Sequence, residues 1–125
     1  MIYGIGTDFV EVPRIEKILQ KWGEKFTGRV YSKGEIDYCR SKSFPAIHFA
    51  ARFAVKESFL KSLGIGLGMG VKLRDIDVIN TPQGKPMLNI NKQIEVIIDK
   101  FGITAIHISI THTKEHAHAI VVLEK

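Results

Sequence analysis

Apolar and polar residues alternate along several stretches of the chain, the pattern of half-buried β-strands. The clearest case is residues 103–112, where the isoleucines would share one face of the strand: Ile106, Ile108 and Ile110. The residues between them would face the other way: Ala105, His107, Ser109 and Thr111. Shorter stretches rich in apolar and β-branched residues predict further strands at residues 1–9, 71–80, 87–90 and 117–123, with turns at 81–86 and 113–116.

Apolar residues that recur every three or four positions predict helices elsewhere. The predicted helices are residues 13 to about 20 or 22, 32–40, 46–63 and 91–101. Ser32 and Glu35 form a capping-box pattern, Asn91 is a typical N-cap, and Gly23, Gly64 and Gly102 would end helices. This order predicts an α+β fold, with a mainly antiparallel sheet and helices packed on one side.

The composition indicates one ordinary globular domain over residues 1–125. The chain has 45% apolar and 25% charged residues, as is usual for such domains. No apolar stretch approaches the roughly 20 residues that span a membrane, and the N-terminus does not resemble a secretory signal. The single cysteine, Cys39, excludes an intrachain disulfide. We therefore expect a cytoplasmic protein that does not bind a membrane.

The net charge of +5 and pI near 9.4 predict an anionic partner, such as nucleic acid, a phosphorylated small molecule or an acidic protein. Much of the positive charge falls in one short segment that contains few acids: Arg14, Lys17, Lys21, Lys25 and Arg29. From composition alone, the simpler interpretation of this segment is a solvated helix face.

The predicted helix at 46–63 carries charges within an otherwise apolar sequence. Glu57 and Lys61 share one face, since they are four residues apart. They could form a surface ion pair, but Glu57 follows Phe53 by one turn, which argues for a more buried face. Asp8 ends a glycine-bearing apolar strand; alone, it could simply cap the next turn. Together, two carboxylates and a lysine predict a site for a hard divalent cation and a phosphate.

Histidines and glycines give weaker signals. Histidines crowd the predicted C-terminal hairpin, but their spacing matches no zinc site: His107, His112, His116 and His118. Glycines alternate with apolar residues after the long helix: Gly64, Gly66, Gly68 and Gly70. The order helix, glycines, strand is the reverse of a dinucleotide fingerprint. This segment is either a connector or a loop whose backbone N–H groups can approach a ligand.

Three segments in combination resemble the holo-[acyl-carrier-protein] synthases, the small class of 4′-phosphopantetheinyl transferases. They are Gly4-Ile5-Gly6-Thr7-Asp8, the helix from Arg52 to Lys61 and the strand end Ser109-Ile110-Thr111-His112-Thr113. Gly84-Lys85-Pro86 also matches a turn that recurs in the family. Thr7 and Val55 are small departures from the family pattern. The resemblance covers essentially the whole chain and depends on the order and spacing of the segments.

The resemblance implies a reaction and a set of partners. Such enzymes move the phosphopantetheine arm of coenzyme A onto a serine of apo-acyl carrier protein, which supports fatty acid biosynthesis. They release adenosine 3′,5′-bisphosphate, require Mg²⁺ and form homotrimers with active sites at subunit interfaces. Asp8 and Glu57 would hold the metal, and Lys61 would lie near the pyrophosphate. Either Glu57 or a metal-bound water would take the serine proton; the sequence leaves this choice open.

The resemblance also implies which residues bind the two substrates. The coenzyme A site would contain Arg52, Lys61, Gly64, Gly66, Gly84, Lys85, Pro86, His107 and Thr111. Acyl carrier proteins are acidic, so we expect the exposed stripe of Arg14, Lys17 and Lys21 to bind the carrier protein. This replaces the simpler interpretation of a solvated helix face. A nucleic-acid-binding module is the rival from another class. We do not expect it, because the outward residues of strand 103–112 include no aromatic stacking platform.

Overall fold

The computed structural model describes residues 1–66 and 70–125. The strands are β1 (Ile2–Glu11), β2 (Val78–Asn80), β3 (Pro86–Leu88), β4 (Ala105–His112) and β5 (His116–Glu124). The α-helices are α1 (Val12–Trp22), α2 (Glu24–Val30), α3 (Lys33–Arg40), α4 (Pro45–Leu63) and α5 (Lys92–Phe101), and a 3-10 turn spans Leu73–Asp75. No helix in the described ranges is both long and apolar enough to cross a membrane.

Over the described part of the chain, the main sheet has three antiparallel strands in the order β1-β5-β4. Helix α4 packs across one face of it, against β1 and β5. Strands β2 and β3 form a separate antiparallel pair beside this layer. The predicted α+β class, with helices on one side of an antiparallel sheet, is confirmed. The predicted alternation in β4 is confirmed as well, since Ile108 is buried and His107 and Ser109 are exposed.

Two glycines allow β1 to lie directly on α4. A Cβ atom at Gly4 would lie 1.9 Å from the carbonyl oxygen of Ser62, and one at Gly6 would lie 1.8 Å from that of Ser58. Real side chains do not tolerate such distances, so the contact requires glycine at both positions. It brings Asp8, two residues beyond Gly6, to the side of the helix.

The predicted helix ends are confirmed. The Ser32 hydroxyl accepts from the Glu35 N–H at 3.1 Å, and the Glu35 carboxylate accepts from the Ser32 N–H at 2.9 Å. Asn91 caps α5 by accepting from the Ile94 N–H at 3.0 Å. Gly64 and Gly102 end α4 and α5 in the left-handed conformation, with φ of 75° and 67°.

The predicted strand at 71–80 is wrong over most of its length. The chain forms a 3-10 turn there, and only Val78–Asn80 is extended in β2. The reason lies in the core. The Lys56 ammonium donates hydrogen bonds to the carbonyls of Leu73 and Ile76, so these carbonyls are not available to pair with a neighbouring strand.

Other differences are smaller. Helix α2 was not predicted, because Gly28 and its sparse apolar residues weaken the helical pattern. The strand predicted at 87–90 lies at Pro86–Leu88. Gly68, within the glycine-rich segment, lies outside the described residues.

Candidate active site

Three predicted site residues lie together where β1 meets α4. The Lys61 ammonium lies 3.1 Å from Asp8 Oδ1 and also donates to the Thr7 carbonyl at 3.0 Å. Glu57, one turn before Lys61, lines the same cleft as Asp8. The side chain of Asp8 is 18% exposed and that of Lys61 54%, so the cleft opens to solvent and is accessible to a ligand.

Glu57 lies in an unfavourable electrostatic environment for its ionised form. Burial raises the pKa of Glu57, the negative charge of Asp8 raises it further, and the Lys61 ammonium partly opposes both. Ionised Glu57 is therefore costly until another cation arrives. A half-buried pair of hard oxygen donors with incomplete charge compensation fits a divalent cation such as Mg²⁺.

The cleft has apolar walls and a basic residue beside the carboxylates. Phe53, Ile18 and Phe26 line it, together with Arg14 from α1. Lys17 and Lys21 continue the exposed face of α1. The carboxylate pair is thus continuous with the basic stripe.

A second cleft surrounds Arg52, on another side of α4. Arg52 is buried, and its Nη2 donates to Asn80 Oδ1 at 2.6 Å. Its guanidinium lies 4.0 Å from the centre of the Tyr38 ring. The cleft is lined by Tyr38, His48, Ala51, Arg52, Asn80, Gly84, Pro86, Ile110 and His112. Within residues 1–66 and 70–125, Arg52 Nε has no hydrogen-bond partner, which leaves a buried donor unsatisfied.

Two histidines add to the second cleft. The rings of His48 and His112 are 5.7 Å apart. Burial lowers the pKa of His48, and the nearby His112, Arg52 and Lys42 lower it further. His48 is therefore neutral at pH 7. An anion that entered the cleft could accept a hydrogen bond from its ring and would favour its protonated form. The polar lining of this cleft suits a phosphate more than a cation.

The structure brings only part of the predicted coenzyme A set together. Arg52, Gly84 and Pro86 share the second cleft, and Lys85 lies exposed between the last two. Lys61 lies with the carboxylates. Gly64 and Gly66 are exposed at and just beyond the end of α4.

His107 and Thr111 were predicted in this set, but the structure does not bring them to the Arg52 cleft. They lie on the opposite face of β4 from Ile110 and His112, and His107 pairs with Glu124. The side chains that sequence analysis missed are Tyr38, His48, Asn80 and His112. The signal for His112 was present, because the alternation that turns Ile110 inward turns His112 the same way.

The sheet face away from α4 is open in the single chain. It exposes large apolar side chains: Ile5, Phe9 and Ile120. Phe9 stacks on His116 with ring centres 4.7 Å apart. The prediction of no aromatic stacking platform concerned the outward residues of strand 103–112 alone; on the same sheet face, β1 contributes the exposed Phe9. An exposed apolar face of this kind is typical of an interface.

Comparison with known proteins places the chain in a class of transferases. Residues 4–121 match the family described as the 4′-phosphopantetheinyl transferase superfamily. A holo-[acyl-carrier-protein] synthase from Syntrophus aciditrophicus is 52% identical over 124 residues, covering 99% of this chain and 97% of that protein.

Solved structures agree with the sequence comparison. The crystal structure of a Neisseria meningitidis holo-[acyl-carrier-protein] synthase has a TM-score of 0.92 and 34% identity, with all of both chains covered. The Helicobacter pylori enzyme in complex with coenzyme A has a TM-score of 0.84 and 33% identity, covering 96% of this chain and 99% of that one. The chain belongs to the 4′-phosphopantetheinyl transferase superfamily and, within it, to the holo-[acyl-carrier-protein] synthases. The resemblance and enzyme class predicted from sequence are confirmed.

Proposed function

We propose that this enzyme transfers the 4′-phosphopantetheine group of coenzyme A to a serine of an acidic apo-acyl carrier protein and requires Mg²⁺. The serine oxygen attacks the pantetheine-linked phosphorus of the pyrophosphate. The bond from that phosphorus to the bridging oxygen breaks, and adenosine 3′,5′-bisphosphate leaves. The observation that carries the proposal is that Asp8 and Glu57 line one cleft, with the Lys61 ammonium 3.1 Å from Asp8 Oδ1. Action on the carrier protein of fatty acid biosynthesis, in the cytoplasm, belongs to the same proposal.

The residues of the first cleft would supply charge and orientation. Phosphoryl transfer needs in-line positioning and charge neutralisation more than covalent help from the protein. Lys61, whose ammonium lies against Asp8, would neutralise charge on the departing phosphate. Asp8 and Glu57 would hold Mg²⁺, which, when bound, neutralises pyrophosphate charge. Glu57, whose pKa burial and Asp8 raise, is a candidate acceptor for the serine proton.

The second cleft would hold the nucleotide end of coenzyme A. Arg52, His48 and His112 line this cleft and would offer donors for a phosphate. In this proposal, His112 takes the role that sequence analysis gave to His107. Gly84 and Pro86, which line this cleft, would form one wall of the nucleotide site.

We further propose that each complete site lies between two chains of a homotrimer. Among the residues that the structure describes, the two clefts share no lining residue, and they lie on different sides of α4. The open sheet face, with Ile5, Phe9 and Ile120 exposed, supplies apolar surface for association. A neighbouring subunit could then bring its Arg52 cleft to the carboxylates of the first.

Subunit mixing tests this arrangement. Glu57→Gln and Arg52→Ala chains should each be inactive as pure preparations, because one destroys the carboxylate pair and the other the nucleotide cleft. Unfolded together and refolded as mixed trimers, they should regain a substantial fraction of wild-type turnover, since some interfaces contain two intact halves. Two Glu57→Gln preparations treated in the same way are the control. No recovery in mixed trimers that sedimentation velocity shows to be assembled would contradict an interfacial site.

Reversing the charge of the α1 stripe should weaken carrier-protein recognition. Arg14→Glu with Lys21→Glu should raise the KM for carrier protein about tenfold or more at low salt, and added salt should weaken the wild type in the same direction. The KM for coenzyme A should change little, because its phosphates are assigned to Lys61 and the Arg52 cleft, whereas Arg14, at the edge of the carboxylate cleft, is assigned to the carrier protein. Steady-state kinetics with each substrate varied in turn measures both values.

The control for the stripe is an equal charge change on α5, Lys92→Glu with Lys100→Glu. These residues are exposed and line neither cleft. An equal rise in carrier KM in this control would show that net charge alone is responsible. A loss of coenzyme A affinity in the stripe variant, with carrier KM unchanged, would assign the stripe to the nucleotide instead.

One experiment tests the proposed function directly. The protein is incubated with coenzyme A, Mg²⁺ and apo-carrier protein, and the carrier is weighed by mass spectrometry. We expect the mass of one phosphopantetheine group to be added, and no addition when chelator removes the metal. An unmodified carrier, together with a salt-sensitive gel shift of RNA at physiological salt, would favour the nucleic-acid-binding alternative.

A further inference from the structure

A fully buried ion pair lies behind the Arg52 cleft. Lys56 of α4 and Glu35 of α3 both have completely buried side chains, and Lys56 Nζ lies 2.7 Å from Glu35 Oε1. The ammonium also donates to the carbonyls of Ile76 at 2.7 Å and Leu73 at 3.0 Å. All three N–H groups of Lys56 therefore have acceptors.

Stability alone does not explain this pair. Taking two charges out of water is costly, and proteins with well-packed apolar residues in their place are often as stable or more so. What the charged pair does that apolar residues cannot is hold polar backbone groups. Besides the two carbonyls at Lys56, the other carboxylate oxygen, Glu35 Oε2, accepts from the Val78 N–H at 3.2 Å. The pair thus fixes the backbone from the 3-10 turn to the first residue of β2.

The same stretch of backbone leads into the second cleft. Two residues after Val78, Asn80 accepts from Arg52 at 2.6 Å, and its amide donates to the Gly84 carbonyl at 3.2 Å. Asn80 therefore joins the guanidinium to the turn on the facing wall. Arg52 itself lies one helical turn before Lys56, with its Nε 4.0 Å from Glu35 Oε2. The Arg52 wall of the cleft therefore lies against Glu35 directly, and the wall formed by the turn at Gly84 is connected to the buried pair through β2.

We propose that Glu35 and Lys56 are positioning residues for the nucleotide half of the active site. They hold β2 in the place where Asn80 can orient Arg52 and the turn at Gly84. This inference rests on the proposed function, because it takes the Arg52 cleft to be the nucleotide site. It predicts that changes to the pair weaken the binding of coenzyme A. They should not alter the carboxylate cleft or the binding of carrier protein to the α1 stripe.

Lys56→Met tests the inference. The affinity for adenosine 3′,5′-bisphosphate, measured by calorimetry well below the melting temperature, should fall about tenfold or more, as should that for coenzyme A, since small displacements of positioning groups have effects of this size. The KM for carrier protein should stay within about twofold of the wild type. Ile94→Ala is the matched control: it removes a buried side chain of α5 at a comparable stability cost and should leave nucleotide affinity unchanged.

Two further variants keep the test decisive if Lys56→Met does not fold. Glu35→Leu with Lys56→Met replaces both charges by apolar groups, which usually preserves folding, and should show the same nucleotide defect. Asn80→Ala should reproduce that defect, and adding it to the double replacement should cause little further loss, because both act through Arg52.

The outcomes separate this inference from the function on which it rests. A wild-type protein that binds no adenosine 3′,5′-bisphosphate would refute the proposed nucleotide site itself. A wild type that binds it, with folded pair variants that bind it equally well, would show that Glu35 and Lys56 serve stability only. Equal losses for coenzyme A and carrier protein would also overturn the positioning role.

Discussion

Glu57→Gln is expected to abolish transfer and, at the same time, to stabilise the metal-free protein at neutral pH. Turnover should fall by about 10³-fold or more, the upper end of what removing one preorganised electrostatic group costs. The side chain keeps its shape but loses the charge that would hold the cation with Asp8. Mg²⁺ should raise the melting temperature of the wild type and have little effect on the variant.

The gain in stability follows from the direction of the pKa shift. The pKa of Glu57 is raised in the fold by burial and by Asp8, so the folded state prefers the protonated form. Ionised Glu57 therefore costs stability at pH 7, and this cost disappears as the pH falls through the raised pKa. Glutamine removes the cost at neutral pH, so the variant's advantage should shrink on acidification. Thermal melts at pH 4 to 8 without metal measure this.

Two comparisons make the result specific. Asp8→Asn should also abolish transfer and should lower the pKa of Glu57, since it removes a neighbouring negative charge. Glu95→Gln makes the same chemical change at an exposed position of α5 and should alter neither activity nor the magnesium effect. Magnesium-dependent turnover within a few-fold of wild type in Glu57→Gln would exclude the metal role.

Lys61→Ala is expected to lower kcat by about 10²-fold, as for the loss of one charge-stabilising group. In the free protein the ammonium lies 3.1 Å from Asp8 Oδ1 and competes with a cation for that oxygen. Magnesium affinity should therefore stay the same or increase in the variant, while the chemical step slows. Single-turnover kinetics and a magnesium titration by calorimetry separate the two effects.

Lys92→Ala removes an exposed lysine from α5 and is the matched control for charge. If Lys61→Ala weakens coenzyme A binding at unchanged kcat, the ammonium contributes only to ground-state binding. If it instead abolishes magnesium binding, Lys61 is needed to assemble the carboxylate pair. Either result would remove Lys61 from the chemical step.

Local sequence signals were sufficient for the elements whose ends and faces depend on neighbouring residues. The capping residues Ser32 and Asn91 and the alternation of β4 behave as predicted, because each acts within one turn or one strand. The strand predicted at 71–80 failed for a tertiary reason: its carbonyls are acceptors for Lys56, a residue distant in sequence. No local pattern contains that information.

The candidate site divides in the same way. Asp8, Glu57 and Lys61 could be placed together from motifs, and the structure has them in one region. The most buried charges of α4 are instead Arg52 and Lys56, whose partners come from α3 and β2. Periodicity could not identify Glu35 as the partner of Lys56, since its position fits equally well as a capping residue. Both roles are present in the structure.

The glycine contact between β1 and α4 also determines how this enzyme can be altered. Asp8 lies on β1 and Glu57 on α4. The backbones of these two elements are in direct contact where Gly6 meets Ser58, with no side chain between them. The separation of the two backbones that carry these carboxylates is therefore set by main-chain van der Waals radii, which no change of side-chain rotamer alters. An attempt to retune the site for a larger cation such as Ca²⁺ should begin at Gly4 and Gly6, where one added methyl group would move the strand. Substituting the ligands themselves would leave the spacing of the two backbones unchanged.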